Sequence, residues 1–113
     1  MATKTFPVVS YVLNLARGNT IGGGAIKFYA QAVCNSAEGD RFVIFFLRPD
    51  SGPAQNIYNP AAKWATSFVP AEQYPWYADM LRNEKPVYAQ LNSDNPEWNT
   101  LTTSDEPVGE GGN

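Results

Sequence analysis

The stretch from Arg41 to Leu47, RFVIFFL, decides the fold: one arginine followed by six consecutive apolar residues, three of them phenylalanine. A run that short has no readable period, but its β-branched and aromatic content favours a strand over a helix. Polar turns bound it on both sides, NSAEGD at 35–40 and RPDSG at 48–52. A strand apolar on both faces belongs in the middle of a sheet with its two sides covered.

The segments upstream read as its neighbours. AIKFYAQAVC, from Ala25 to Cys34, sets Ile26, Phe28, Ala30, Ala32 and Cys34 against Lys27, Tyr29 and Gln31, the alternation of a half-buried strand. FPVVSYVLNL, from Phe6 to Leu15, puts Val9, Tyr11, Leu13 and Leu15 on one apolar side, with Pro7 at a strand start or edge because it has no N–H for a ladder. The glycine-rich ARGNTIGGG at 16–24 reads as a flexible connection. Three consecutive strands joined by short polar segments predict an antiparallel meander.

Downstream, Pro49, Pro53 and Pro60 predict a long excursion over 48–62, with one short extended piece at Gln55–Tyr58. WATSFVPAEQYPWYADMLRNEK carries the helical signal. Pro75 suits an early helix position, Tyr77 meets Met80 and Leu81 at helical spacing, and Arg82 and Lys85 suit the C-terminal end. The pattern predicts a turn at 71–74 and a helix at about 75–84. PVYAQLN at 86–92, the turn SDNP at 93–96 and EWNTLTT at 97–103 predict a late hairpin. The expected whole is a single α+β domain over residues 1–103: a mainly antiparallel, twisted sheet of about five strands with one short amphipathic helix. Residues 104–113, SDEPVGEGGN, are expected to form an acidic, Gly-rich flexible tail.

Composition narrows the chemistry. The chain has 113 residues, 43% hydrophobic and 17% charged, enough for one packed core. It has no histidine, which removes Ser-His and Cys-His nucleophile pairs and His-ligated metals within one chain. The single cysteine, Cys34, cannot form an intrachain disulfide or a thiolate cluster, and its place on an alternating run makes it a small buried hydrophobe. No metal site and no cofactor are expected. GGG at 22–24 lacks the spacing of a phosphate loop or a dinucleotide fingerprint, and Asp50–Gly52 reads as turn punctuation rather than a calcium loop. With no signal-peptide pattern and no apolar stretch of membrane-spanning length, a cytoplasmic protein is expected.

The aromatic residues are the most suggestive feature. Tyr58, Trp64, Trp76, Tyr77 and Trp98 lie mostly beside proline or in connecting segments, where one small core cannot take every ring. They are the candidate site of a noncatalytic module that recognises a protein or small ligand, or that associates with itself. A homodimer built partly from Trp76, Tyr77 and Met80 is the expected assembly. Lys27, Tyr29 and Gln31, with Arg17, Arg41 and Arg48 near strand ends, compose an alternative: a platform for single-stranded nucleic acid. The net charge of −3 weighs against it. A small carboxylate-dependent enzyme is a third reading, with Glu97 beside Trp98 its one notable carboxylate.

Overall fold

The computed structural model describes residues 3–21 and 23–103, and for residues 16–19 the backbone only. The expected tail at 104–113 lies outside the described residues. The chain forms strands β1 (Thr3–Pro7), β2 (Ser10–Ile21), β3 (Ile26–Asn35), β4 (Arg41–Leu47), β5 (Ile57–Asn59) and β6 (Trp64–Pro70). A 3-10 turn at Ala71–Gln73 leads into helix α1 (Tyr74–Asn83), and β7 (Val87–Asn92) and β8 (Thr100–Thr103) follow. This is the expected β-rich α+β domain with one short helix.

The main sheet has five strands in the order β2-β3-β4-β6-β5, so RFVIFFL lies at its centre. β2, β3 and β4 form the antiparallel meander. The next step departs from that pattern: β6 returns parallel to β4, Arg41 beside Trp64 through Leu47 beside Pro70, and short β5 folds back antiparallel on β6. A second sheet, β1-β7-β8, contains the late hairpin. β1 and β2 are one extended run broken at two residues. The Val8 N–H donates to the Val87 carbonyl at 2.8 Å in one sheet, and the Val9 N–H to the Asn35 carbonyl at 2.9 Å in the other.

Three expectations need correction. β2 does not end at Leu15; it continues to Ile21 through a shift of register between Leu15 and Asn19, so most of the expected flexible connection is strand. In β3 the register with β4 slips between Phe28 and Ala30, which moves Phe28 away from the face shared by Ala30, Ala32 and Cys34. WATSFVP, read as the approach to the helix, is strand β6. Its alternation is muted because the positions facing the core carry only Ala65, Ser67 and Val69.

The core lies between the inner face of the main sheet and a cover made by the small sheet and α1. Phe42, Ile44 and Phe46 from β4 meet Phe6, Val87, Ala89, Leu91, Leu101 and Leu81 there. Tyr74 and Tyr77 from α1 pack edge-on against Phe46, with ring centroids 5.0 and 5.5 Å away. Asn99, buried, ties the two sheets on the side away from the β1–β2 bend. Its side-chain amide donates to the Ile57 carbonyl at 3.0 Å and the Thr66 carbonyl at 3.3 Å, while its oxygen accepts the Asn92 N–H at 2.9 Å.

A second polar tie holds β1 to the β3–β4 turn. Asp40 is 2% exposed and lies 3.0 Å from the Lys4 ammonium. The Ser36 hydroxyl donates to the Asp40 carboxylate at 3.0 Å and accepts the Asp40 N–H at 2.8 Å. Gly39 adopts φ 93° in this turn, a conformation that a side chain resists. Burial pushes the Asp40 carboxyl up, but the bonds from Lys4 and Ser36 and the nearby charge of Lys63 outweigh it and hold the group below the usual carboxylate range. A carboxyl depressed in the folded state stabilises the fold above its unfolded pKa, and that contribution disappears as pH falls through the folded value.

Two outcomes follow from this architecture. Amide hydrogen exchange should be slowest at Val43–Phe46, since β4 has a partner on each side; fast exchange there in folded protein contradicts its central place. Lys4→Met should move the acid-unfolding midpoint, followed by circular dichroism, to higher pH, because a buried carboxylate without its cation takes up a proton sooner. An unchanged midpoint contradicts the pairing.

Candidate functional site

The five aromatic residues expected to form the site do not share one surface. Tyr58 is buried opposite Ala65 in the core, and Tyr77 is half-buried against Phe46. Trp64, Trp76 and Trp98 are exposed on three different elements, at 38%, 71% and 64%. Trp64 begins β6. Trp76 lies on α1 beside a groove of about 200 Å³ lined by Gln73, Tyr77, Met80, Thr100 and Leu101. Trp98 ends the 3-10 turn Pro96–Trp98, beside a groove of about 220 Å³ over Thr3, Thr5, Gln90 and Asn92.

The outer face of the main sheet collects a different set. Alternation on β4 sends Phe42, Ile44 and Phe46 inward, so Val43, Phe45 and Leu47 point outward. With Ile21, Phe28, Val33 and Phe68 they form a second apolar cluster drawn entirely from β2, β3, β4 and β6. Phe45 is its centre: Phe68 stacks on it at 5.1 Å and Phe28 meets it edge-on at 4.9 Å. The packing stiffens the face from within the sheet. Thr66 stands on the same face, paired with Val43, and its hydroxyl is buried with no hydrogen-bond partner among the described residues.

Around this cluster the sheet carries polar and cationic side chains. Arg41 and Trp64 stand side by side in register at one end, and the Arg41 guanidinium also donates to Asn35 at 3.4 Å. Lys63, next in the chain to Trp64, takes the left-handed conformation at φ 55°, and its ammonium reaches the Glu38 carbonyl at 3.1 Å. Asn14 and Gln31 join their side-chain amides across β2 and β3 at 3.1 Å. At the other end the Arg48 guanidinium lies over the exposed Tyr29 ring, 5.7 Å from its centroid.

Arg48 and Lys27 both pair with Asp50, at 2.9 and 3.4 Å. Burial alone raises the Asp50 carboxyl, but Arg48 and Lys27 together hold it below the usual range. The loop carrying Asp50 is pinned to the start of β3: Gly52 N–H donates to the Ala25 carbonyl at 2.7 Å, and a Cβ on Gly52 would lie 2.6 Å from that oxygen. Thus Lys27, Tyr29, Gln31, Arg41 and Arg48 are all placed along the sheet, whereas the side chain of Arg17 lies outside the described residues.

Asp40 and Asp50 are held ionised by cations, which suits neither to donate a proton near neutral pH. Glu97 lies on the exposed Pro96–Trp98 turn, next to a groove lined by Asn56 and Ile57. Among the described residues, no group of three or more His, Cys, Asp or Glu is placed to hold a metal ion.

Cys34 is fully buried in the main core, and burial pushes its thiol up to about 12. A thiol reagent should therefore modify Cys34 slowly in folded protein and rapidly after denaturation; rapid modification of the folded form contradicts the assigned burial. No helix among the described residues is long and apolar enough to cross a membrane. No protein-family model, curated protein or solved structure matches the chain, so its chemistry is what bears on its function.

Proposed function

We propose that the protein is a noncatalytic binding module that takes single-stranded nucleic acid on the outer face of its main sheet. One observation carries the reading. Arg41 and Trp64 stand side by side on that face, a cation against an exposed ring, and just past the other end of β4 Arg48 lies over the exposed Tyr29. A ring that can stack on a base, next to a cation that can meet a phosphate, is the repeating requirement of single-strand recognition. The two pairs are separated by seven residues of extended chain, about 23 Å, room for a short site of the kind that small β-domains offer single strands.

The distribution of charge supports this choice. Six of the eight Lys and Arg, but only three of the eleven Asp and Glu, precede Pro70. The segment that builds the main sheet is therefore net positive, although the chain as a whole is at −3. Two of its three carboxylates, Asp40 and Asp50, are already in ion pairs. The excess of acid follows the sheet, at Glu72, Asp79 and Glu84 in and around α1, at Asp94 and Glu97 in the connection between β7 and β8, and at Asp105, Glu106 and Glu110 near the end of the chain. The overall charge, read alone, hides a cationic face. A reducing cytoplasm suits the lone Cys34 thiol.

Fluorescence anisotropy with a labelled oligothymidylate tests the proposal. Binding should weaken as salt rises. Trp64→Ala should cost about 1–3 kcal/mol, the worth of one stacked base. Arg41→Ala should weaken binding and reduce the salt slope by about 0.7 for a lost phosphate contact, whereas Trp76→Ala and Trp98→Ala should leave the affinity unchanged. Binding that is absent at low salt, or indifferent to Trp64 and Arg41, overturns it.

A further inference from the structure

β2 is a terminal strand of the main sheet, and one of its edges lies open. Natural edge strands are protected by charge, proline, bulges or a covering element. From Ser10 to Leu15 the strand has no charged residue and no proline, and its register shift comes only after Leu15. Three of its side chains are apolar and strongly exposed: Val9, just before the strand, at 59%, Val12 at 50% and Leu15 at 75%. They are evenly spaced, three residues apart.

That spacing makes the edge complementary to itself. In antiparallel pairing about a two-fold axis at Val12, Val12 faces Val12 of the second copy, and Val9 faces Leu15 of the second copy on either side of it. Residues directly opposite in such a pair project to the same face, so the three contacts, Val12 with Val12 on one face and the two Val9–Leu15 pairs on the other, match apolar with apolar. Beside Val9 lies a groove of about 770 Å³, between the β1–β2 bend at Val8–Tyr11 and the segment Leu81–Val87 that ends α1. In this register Leu15 of the second copy arrives at that groove.

We infer that two copies of this chain associate through their β2 edges, centred on Val12, to form one continuous ten-stranded sheet. A two-fold axis perpendicular to the sheet sets both outer faces on the same side, so the dimer presents two such faces as one surface. The dimer does not depend on what that surface binds. Its interface is distinct from the exposed Trp76 on α1.

Sedimentation and covalent trapping test the interface. The wild-type chain should sediment as a dimer at micromolar concentration. Val12→Cys should form an intermolecular disulfide under mild oxidation, since directly opposed positions bring their Cβ atoms within disulfide range, about 4.5 Å. Asn14→Cys should not, because it would face Ser10 of the second copy. Val12→Lys should weaken the dimer roughly tenfold or more through loss of the valine pair, with Cys34 protection confirming an intact fold, and Trp76→Ala should leave it unchanged. A wild-type monomer from micromolar to near-millimolar concentration overturns the inference. So does a dimer that survives Val12→Lys, or one that Trp76→Ala dissolves.

Discussion

The structure depends on burying β4 on both of its sides. Inward, Phe42, Ile44 and Phe46 join the core that holds the small sheet and α1 in place. Outward, Val43 and Phe45 are 6% and 7% exposed although the cluster around them comes only from neighbouring strands. A Phe or Val side chain taken out of water contributes roughly 1.5–3 kcal/mol, so five such residues on adjacent positions outweigh any single polar tie in the molecule. The inner half fixes the fold. The outer half turns the face opposite the core into a rigid platform instead of a solvated one.

How far this was legible in the sequence depends on how loudly each strand speaks. RFVIFFL and AIKFYAQAVC carry strong patterns and stand where those patterns place them, and Pro75 with Tyr77, Met80 and Leu81 locates the helix to within a residue; the late hairpin is present too, but Pro96–Trp98 is a 3-10 turn and its second strand begins only at Thr100. β6 was missed because its core-facing side is small and partly polar, Ala65 and Ser67. β1 and β2 read as one strand because Val8 and Val9 carry the apolar run on past Pro7; the break consists of two backbone hydrogen bonds that lead to different sheets. The slip at Tyr29 is likewise invisible to a period-two reading, and it is what sends Phe28 to the outer cluster. Asn99 gave no signal at all, since a lone asparagine after a turn looks like any other.

The candidate site shows the same division. Counting aromatic residues selected Tyr58 and Tyr77, which the core takes up, together with three tryptophans on separate elements. Counting charge over the whole chain obscured a segregation in which the sheet-forming segment is cationic and the remainder acidic. Both readings treated as uniform a surface that the topology divides. The parallel return of β6 beside β4 is what brings Trp64 next to Arg41, residues 23 positions apart, and no local pattern encodes that pairing.

The three tryptophans on three surfaces also supply the means to locate binding. In a proton–nitrogen correlation spectrum each indole N–H reports on its own region: Trp64 on the outer sheet face, Trp76 on α1, and Trp98 beside the small sheet. On titration with a short single-stranded oligonucleotide, the Trp64 indole and the Arg41 side-chain resonances should shift together while those of Trp76 and Trp98 stay in place. Shifts centred on Trp76 or Trp98 with Trp64 unmoved would contradict the assignment of the outer face as the binding surface.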